Sequence, residues 1–183
     1  MANIGIFFGT DTGRTRRIAK SIAKKLGDAA ADPVNVNKAT VEDFLGYDAL
    51  IIGTPTLGDG ELPGLACGAQ AESWAEFLPQ LDGADMSGKV VAIFGLGDQD
   101  KYGNEFCDAM AELYDCVTAC GATVVGSWPT DGYSFKVSQA VLDGAFVGLA
   151  IDQDNQAALT EERVDTWLAQ IKPALLEACN AAA

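Results

Sequence analysis

Hydrophobic positions along this chain follow two alternating patterns. Asn3 to Phe8 reads NIGIFF, a short apolar run closed by Gly9. Residues 13–26 then place Ile18, Ile22 and Leu26, with Ala19 and Ala23 beside them, at the spacing of a helix stripe. The continuous apolar run returns in Ala49–Thr54 (ALIIGT) and Lys89–Gly95 (KVVAIFG), and Pro33–Asn37 (PVNVN) is a shorter strand candidate. Thr123–Val125 and Phe146–Ile151 (FVGLAI) also read as strand. Helical spacing recurs at Trp74, Phe77, Leu78 and Leu81, and again at Phe106, Met110, Leu113 and Val117. A closing helix is marked by Val164, Trp167, Leu168, Ile171 and Leu175, despite Pro173.

Strands that are apolar throughout are buried on both faces, and helices on both sides of a parallel sheet bury them. The expected fold is therefore α/β, an open, doubly wound, five-stranded parallel sheet with helices on both faces, in one domain over residues 1–183. A stretch rich in turn residues and aromatics, residues 127–145, is expected to interrupt the last strand as an insertion. Ligands of such sheets bind beyond the carboxyl ends of the strands. That rule selects the loops after Phe8, Thr54 and Phe94.

Charge narrows the chemistry. The 183 residues hold 12 Lys/Arg, 26 Asp/Glu and no His, for a net charge of −14. This balance disfavours a broad nucleic-acid or anionic-membrane surface, and no apolar run approaches a membrane span. Without His there is no Ser-His-Asp triad, no Cys-His pair and no imidazole metal site. Chemistry must come from carboxylates, thiols, backbone amides or a bound cofactor. Residues 1–28 carry six basic side chains against two acids, net +4, and the remainder carries six against 24, net −18. The five cysteines (Cys67, Cys107, Cys116, Cys120 and Cys179) form no C-x-x-C, and the start lacks a signal peptide's pattern, so a cytoplasmic protein with reduced thiols is expected. Cys116 and Cys120, at i and i+4, read as a core-facing pair rather than a redox pair.

The first loop is Gly9-Thr10-Asp11-Thr12-Gly13-Arg14-Thr15, and a helix follows at once. Free amides at the helix start, with three threonine hydroxyls, suit a phosphate. Capping alone needs one hydroxyl rather than three. The stretch is neither G-x-x-x-x-G-K-[ST] nor G-x-G-x-x-G, which disfavours a triphosphate and a dinucleotide pyrophosphate and leaves a monophosphate. The second loop runs Thr54-Pro55-Thr56-Leu57-Gly58-Asp59-Gly60-Glu61, and the third Gly95-Leu96-Gly97-Asp98-Gln99-Asp100-Lys101-Tyr102-Gly103-Asn104. An apolar residue of one and the aromatic Tyr102 of the other can sandwich a planar ring.

These three motifs in this order resemble the flavodoxins: Thr10-x-Thr12-Gly13-x-Thr15, then Thr54-Pro55-Thr56 with Gly58-Asp59-Gly60, then Gly95-x-Gly97-Asp98-Gln99-x-x-Tyr102. The likeness continues through Gly126-Ser127-Trp128, Asp131-Gly132-Tyr133, Phe146-Val147-Gly148-Leu149 and Asp154-Asn155-Gln156. The 127–145 interruption is similar to the extra loop of the long-chain subgroup, and the whole looks most like flavodoxins of nitrogen-fixing bacteria. The resemblance implies a carrier of single electrons that binds FMN non-covalently and converts no substrate of its own. It implies that Thr10, Thr12, Thr15 and the amides from Asp11 to Arg14, Gly13 included, hold the FMN phosphate. Thr54, Pro55 and Thr56 would lie beside the ribityl chain and ring, Leu57 on the inner ring face and Tyr102 on the outer. Gly95, Leu96, Gly97 and Asp98 would meet the pyrimidine edge, with Asp154 near the ribityl chain. Gly58, followed by Asp59, is the residue whose peptide can turn its carbonyl toward the ring. One departure is Asn104-Glu105, where relatives often carry an acidic residue followed by Asn; it bears on ring hydrogen bonding.

Implied partners are redox proteins: a flavodoxin/ferredoxin reductase or pyruvate oxidoreductase as donor and the nitrogenase iron protein as acceptor, met by a monomer. Residues 57–105 hold nine acids against Lys89 and Lys101, a charge that makes the last electron strongly reducing and steers basic partners. Two other classes compete. An NAD(P)H-dependent flavin or quinone reductase would need a second nucleotide fingerprint. A phosphoacceptor receiver domain would need an acid where the third strand ends in Gly53-Thr54.

Overall fold

The computed structural model describes residues 3–182. Strand β1 (Ile4–Phe8) leads into helix α1 (Arg14–Leu26), and β2 (Val34–Asn35) into the short α2 (Val41–Leu45). Then come β3 (Ala49–Pro55), α3 (Trp74–Phe77), β4 (Val90–Leu96), α4 (Ala109–Ala119) and β5 (Thr123–Val125). Short strands β6 (Trp128–Pro129), β7 (Val141–Leu142) and β8 (Ala145–Phe146) precede β9 (Leu149–Ile151) and the closing helix α5 (Thr160–Ala181).

The main sheet has the order β2-β1-β3-β4-β5 and every pairing in it is parallel. Alternate residues of each apolar strand enter opposite cores. Ile4, Ile6, Phe8, Ala49, Ile51, Ala92 and Phe94 face one core with Ile18 and Ile22 of α1 and Trp167 and Ile171 of α5. Phe7, Leu50, Ile52, Val91 and Ile93 face the other, with Trp74, Phe77, Met110 and Leu113. Truncating a buried aromatic such as Trp74 or Trp167 costs about 3–5 kcal/mol.

The fifth sheet position is filled by two pieces. Thr123–Val125 pairs with Val90–Ala92, and Leu149–Ile151 pairs with Phe94–Leu96 on the same edge of β4. The chain between them builds a separate antiparallel sheet, β6-β8-β7. The insertion thus interrupts the last strand as expected, but Phe146–Ile151 is not one strand. Phe146 belongs to the small sheet, and the chain crosses at Gly148, where an added Cβ would lie 2.1 Å from the carbonyl oxygen of Ile93. Only glycine lets the backbone pass that close.

Two helices differ from their predicted spans, and α2 was not predicted. The Trp74–Leu81 stripe is α-helical only to Phe77 and continues as a 3₁₀ turn, because Pro79 has no amide to donate. Phe106 precedes α4, since Cys107 takes a left-handed φ of 55° that no helix accommodates. Helix α2 carries no long stripe and is held by its ends: the Thr40 hydroxyl accepts from Asp43 N–H, and Asp43 accepts from Thr40 N–H. Helix α5 runs through Pro173, which is exposed, as is Ala169, whose carbonyl loses the helical bond to water. Cys116 and Cys120 are half-buried against the core, and burial pushes the Cys116 thiol up to about 11, away from reactivity.

Candidate functional site

The carboxyl ends of β1, β3 and β4 open on a cleft of about 400 Å³, within the size range of small-molecule sites. It lies where the sheet order reverses, between strands that leave β1 in opposite directions. Its walls are Thr10, Asp11, Thr12, Arg14 and Thr15 from the first loop, Pro55, Thr56 and Leu57 from the second, and Leu96, Gly97, Asp98 and Tyr102 from the third. Asp154 closes it, beside two residues the sequence reading passed over, Lys101 and Gln153. A narrower continuation adds Gly58 and Glu105.

The first loop forms a turn at the start of α1. Gly13 stands at φ 89°, and its N–H donates to the Thr10 hydroxyl at 2.9 Å. The Thr10 hydroxyl thus closes the turn before the helix, whose N-cap Gly13 offers no side chain to the first amides, and the Thr10 O–H remains able to donate. The first backbone bond of the helix runs from Arg17 N–H to Gly13 C=O, so the amides of Arg14, Thr15 and Arg16 precede the intrahelical ladder. No acidic residue occupies the first turn. Thr15 is buried, and its hydroxyl has no hydrogen-bond partner among the described residues. Such a group costs about 1–3 kcal/mol unless something satisfies it.

Across the cleft mouth, the Arg14 guanidinium meets the Asp154 carboxylate at 2.8 Å. Both side chains are well exposed, so the pair contributes at most about 1 kcal/mol. The structure joins these two predicted site residues to each other.

The second loop closes on itself. Leu57 N–H donates to Glu61 C=O at 2.9 Å, and Gly60 and Glu61 N–H both donate to Leu57 C=O. Gly58 holds φ 51°, which L side chains rarely adopt, and an added Cβ would lie 2.6 Å from a Glu61 carboxylate oxygen. Asp59 is exposed at the tip and does not line the cleft.

In the third loop the Asp98 carboxylate accepts from Lys101 N–H at 2.9 Å, Asp100 N–H at 3.2 Å and the Asn155 side chain at 2.8 Å. Burial pushes this carboxyl up, but the three donors outweigh it and hold it below the usual range. The Asp98 side chain thus orders the loop. Beneath it, buried Asp152 accepts from Gln99 N–H and from the Gln99 amide at 2.7 Å. Tyr102 projects outward, 42% exposed, facing the cleft opposite the loop that bears Leu57.

Three further predicted residues lie near the cleft without lining it. Thr54 is fully buried and its hydroxyl donates to Pro55 C=O. Gly95 turns toward α4, where an added Cβ would meet Met110 at 2.3 Å. Asn104 is exposed away from the cleft, whereas Glu105 lines the narrow end. No helix among the described residues is long and apolar enough to cross a membrane.

The flavodoxin family model matches residues 6–167. A flavodoxin of Enterobacter agglomerans is 58% identical over 96% of this chain and its own full length. A flavodoxin of Klebsiella pneumoniae is 55% identical over the same shares. Among solved structures, the Fusobacterium nucleatum flavodoxin bound to flavin mononucleotide superposes with a TM-score of 0.86, at 36% identity over 96% of this chain and 99% of that one. With the fold, the switch-point cleft and these relatives in agreement, the chain belongs to the flavodoxin family.

Proposed function

We propose that this protein binds one FMN non-covalently in the cleft and carries single electrons between redox proteins. The observation that carries the reading is the unpartnered, buried hydroxyl of Thr15 beside the free amides that open α1. A phosphate is the ligand that satisfies a hydroxyl and several N–H donors together at a helix start. Leu57 and Tyr102 supply the apolar and aromatic walls a flat ring needs. When bound, FMN supplies the electron-accepting ring, and the chain's own residues hold and tune it.

Thr10, Thr12, Thr15 and the amides of Asp11, Thr12, Arg14 and Thr15 bind the phosphate, while the Gly13 N–H is taken up by the Thr10 hydroxyl. Leu57 and Tyr102 exclude water from the two ring faces. Gly58 offers a carbonyl that can turn toward a proton on the ring edge, because glycine tolerates both orientations of that peptide. The acids at the ring end, Asp59, Glu61, Asp100 and Glu105 among them, disfavour added negative charge and steer basic partner surfaces.

Resemblance to the flavodoxins of nitrogen-fixing bacteria supports a finer reading. A flavodoxin/ferredoxin reductase or pyruvate oxidoreductase donates the electron, and the nitrogenase iron protein accepts it, in the cytoplasm, with the carrier a monomer.

The test mixes the holoprotein with NADPH, alone and with a ferredoxin-NADP reductase. The expected result is no NADPH oxidation alone and rapid reduction of the carrier when the reductase is added. NADPH oxidation by the protein alone would make it a reductase instead.

A further inference from the structure

Among the described residues, two cations line the cleft, and they are in different states. Arg14 is neutralised by Asp154 at 2.8 Å. Lys101 has no carboxylate within ion-pair distance among the described residues. Its ammonium stands 5.1 Å from the centre of the Tyr102 ring. The other lysine of the 57–105 segment, Lys89, is engaged elsewhere, donating to the carbonyls of Leu45 and Tyr47 and reaching Asp48. Lys101 is therefore the cleft-wall cation held in no ion pair among the described residues, attracted only at longer range by Asp98 and Asp154, in a segment carrying nine acids.

We propose that Lys101 is a residue that sets the reducing power of the bound flavin, by offsetting the acidic field on the ring side of the cleft. The inference rests on FMN occupying this cleft. A cation beside the ring stabilises reduced flavin more than oxidised flavin, since reduction adds negative charge there. Lys101 thereby makes the carried electron less reducing than the surrounding acids alone would. The ammonium over Tyr102 also favours the electron-rich ring face, but that contact serves both redox forms equally.

The test compares FMN affinity of wild-type, Lys101→Gln, Lys101→Glu and Lys101→Arg apoproteins. Oxidised FMN is titrated by fluorescence quenching, and dithionite-reduced FMN under anaerobic conditions. Lys101→Gln is expected to weaken reduced FMN relative to oxidised by about two- to fourfold at low salt. That is the effect of one charge at a separation on the order of 10 Å and an effective dielectric of about 40–80. Lys101→Glu should roughly square that ratio, Lys101→Arg should leave it unchanged, and added salt should shrink it. A ratio unchanged in Lys101→Gln and Lys101→Glu, or a loss equal for both redox forms, overturns the proposal while FMN binding stands. A wild-type apoprotein that takes up neither form overturns the underlying reading as well.

Discussion

Phe135 of the insertion stacks on Phe106 at the base of the third loop, with ring centres 5.5 Å apart and planes 23° from parallel. Around that stack the insertion braces the loop bearing Tyr102. Lys136 N–H and Val137 N–H donate to Gly103 C=O at 2.7 and 2.9 Å, and Ser134 N–H donates to the Gln99 side chain. The Ser138 hydroxyl donates to Phe106 C=O at 2.6 Å. Phe135→Ala should lower apoprotein stability by about 2 kcal/mol in urea titration and weaken FMN binding, with the visible flavin bands shifted as Tyr102 loses its position. Unchanged affinity would show that the loop holds itself.

Thr15→Val should separate phosphate recognition from folding. The variant removes a buried hydroxyl that has no partner among the described residues, so apoprotein stability should hold or rise slightly. FMN affinity should fall about tenfold or more, the worth of a hydrogen bond to a charged group, while riboflavin affinity stays level. Equal losses for FMN and riboflavin would remove Thr15 from the phosphate site.

Gly58→Val places a β-branched side chain at φ 51°, 2.6 Å from Glu61. Strain of about 1–2 kcal/mol is expected in the second loop. Spectroelectrochemical titration should show a narrower gap between the first and second reduction steps, because the carbonyl no longer turns freely. An unchanged gap would relieve Gly58 of that role.

Asp108 offers a pH-dependent check. Burial pushes its carboxyl up, the Gln139 N–H it accepts pulls it down, and neighbouring Glu105 adds to the rise. Its charge thus costs stability at pH values above its raised folded pKa and costs nothing below the ordinary carboxylate range, where it is protonated in both states. Asp108→Asn keeps the acceptor for Gln139 and should raise the urea midpoint at pH 7. The gain should disappear as pH falls below about 4. A gain independent of pH would assign the effect to packing.

Much of the architecture was legible in the strands. IGIFF, ALIIGT and KVVAIFG are apolar on both faces, and only a doubly covered sheet accepts that. The break at Gly148 was not, because FVGLAI is apolar throughout and periodicity carries no sign of a chain passing from one sheet to another. In the loops, the motifs brought the right neighbourhoods together but did not resolve which way each residue faces. Thr54 and Gly95 sit on strand positions that turn to the packed interior, so proximity to the cleft did not make them its walls. Lys101 and Gln153 were missed because a long polar side chain next to a motif reads as solvated surface. Only the loop geometry folds both back onto the cleft.

The central claim is that the cleft holds one FMN through the amides and hydroxyls at the start of α1. Its most direct test is titration of the apoprotein with FMN, followed by flavin fluorescence. The account predicts full quenching at one FMN per chain, with inorganic phosphate competing. A protein that leaves FMN fluorescence unchanged would contradict it.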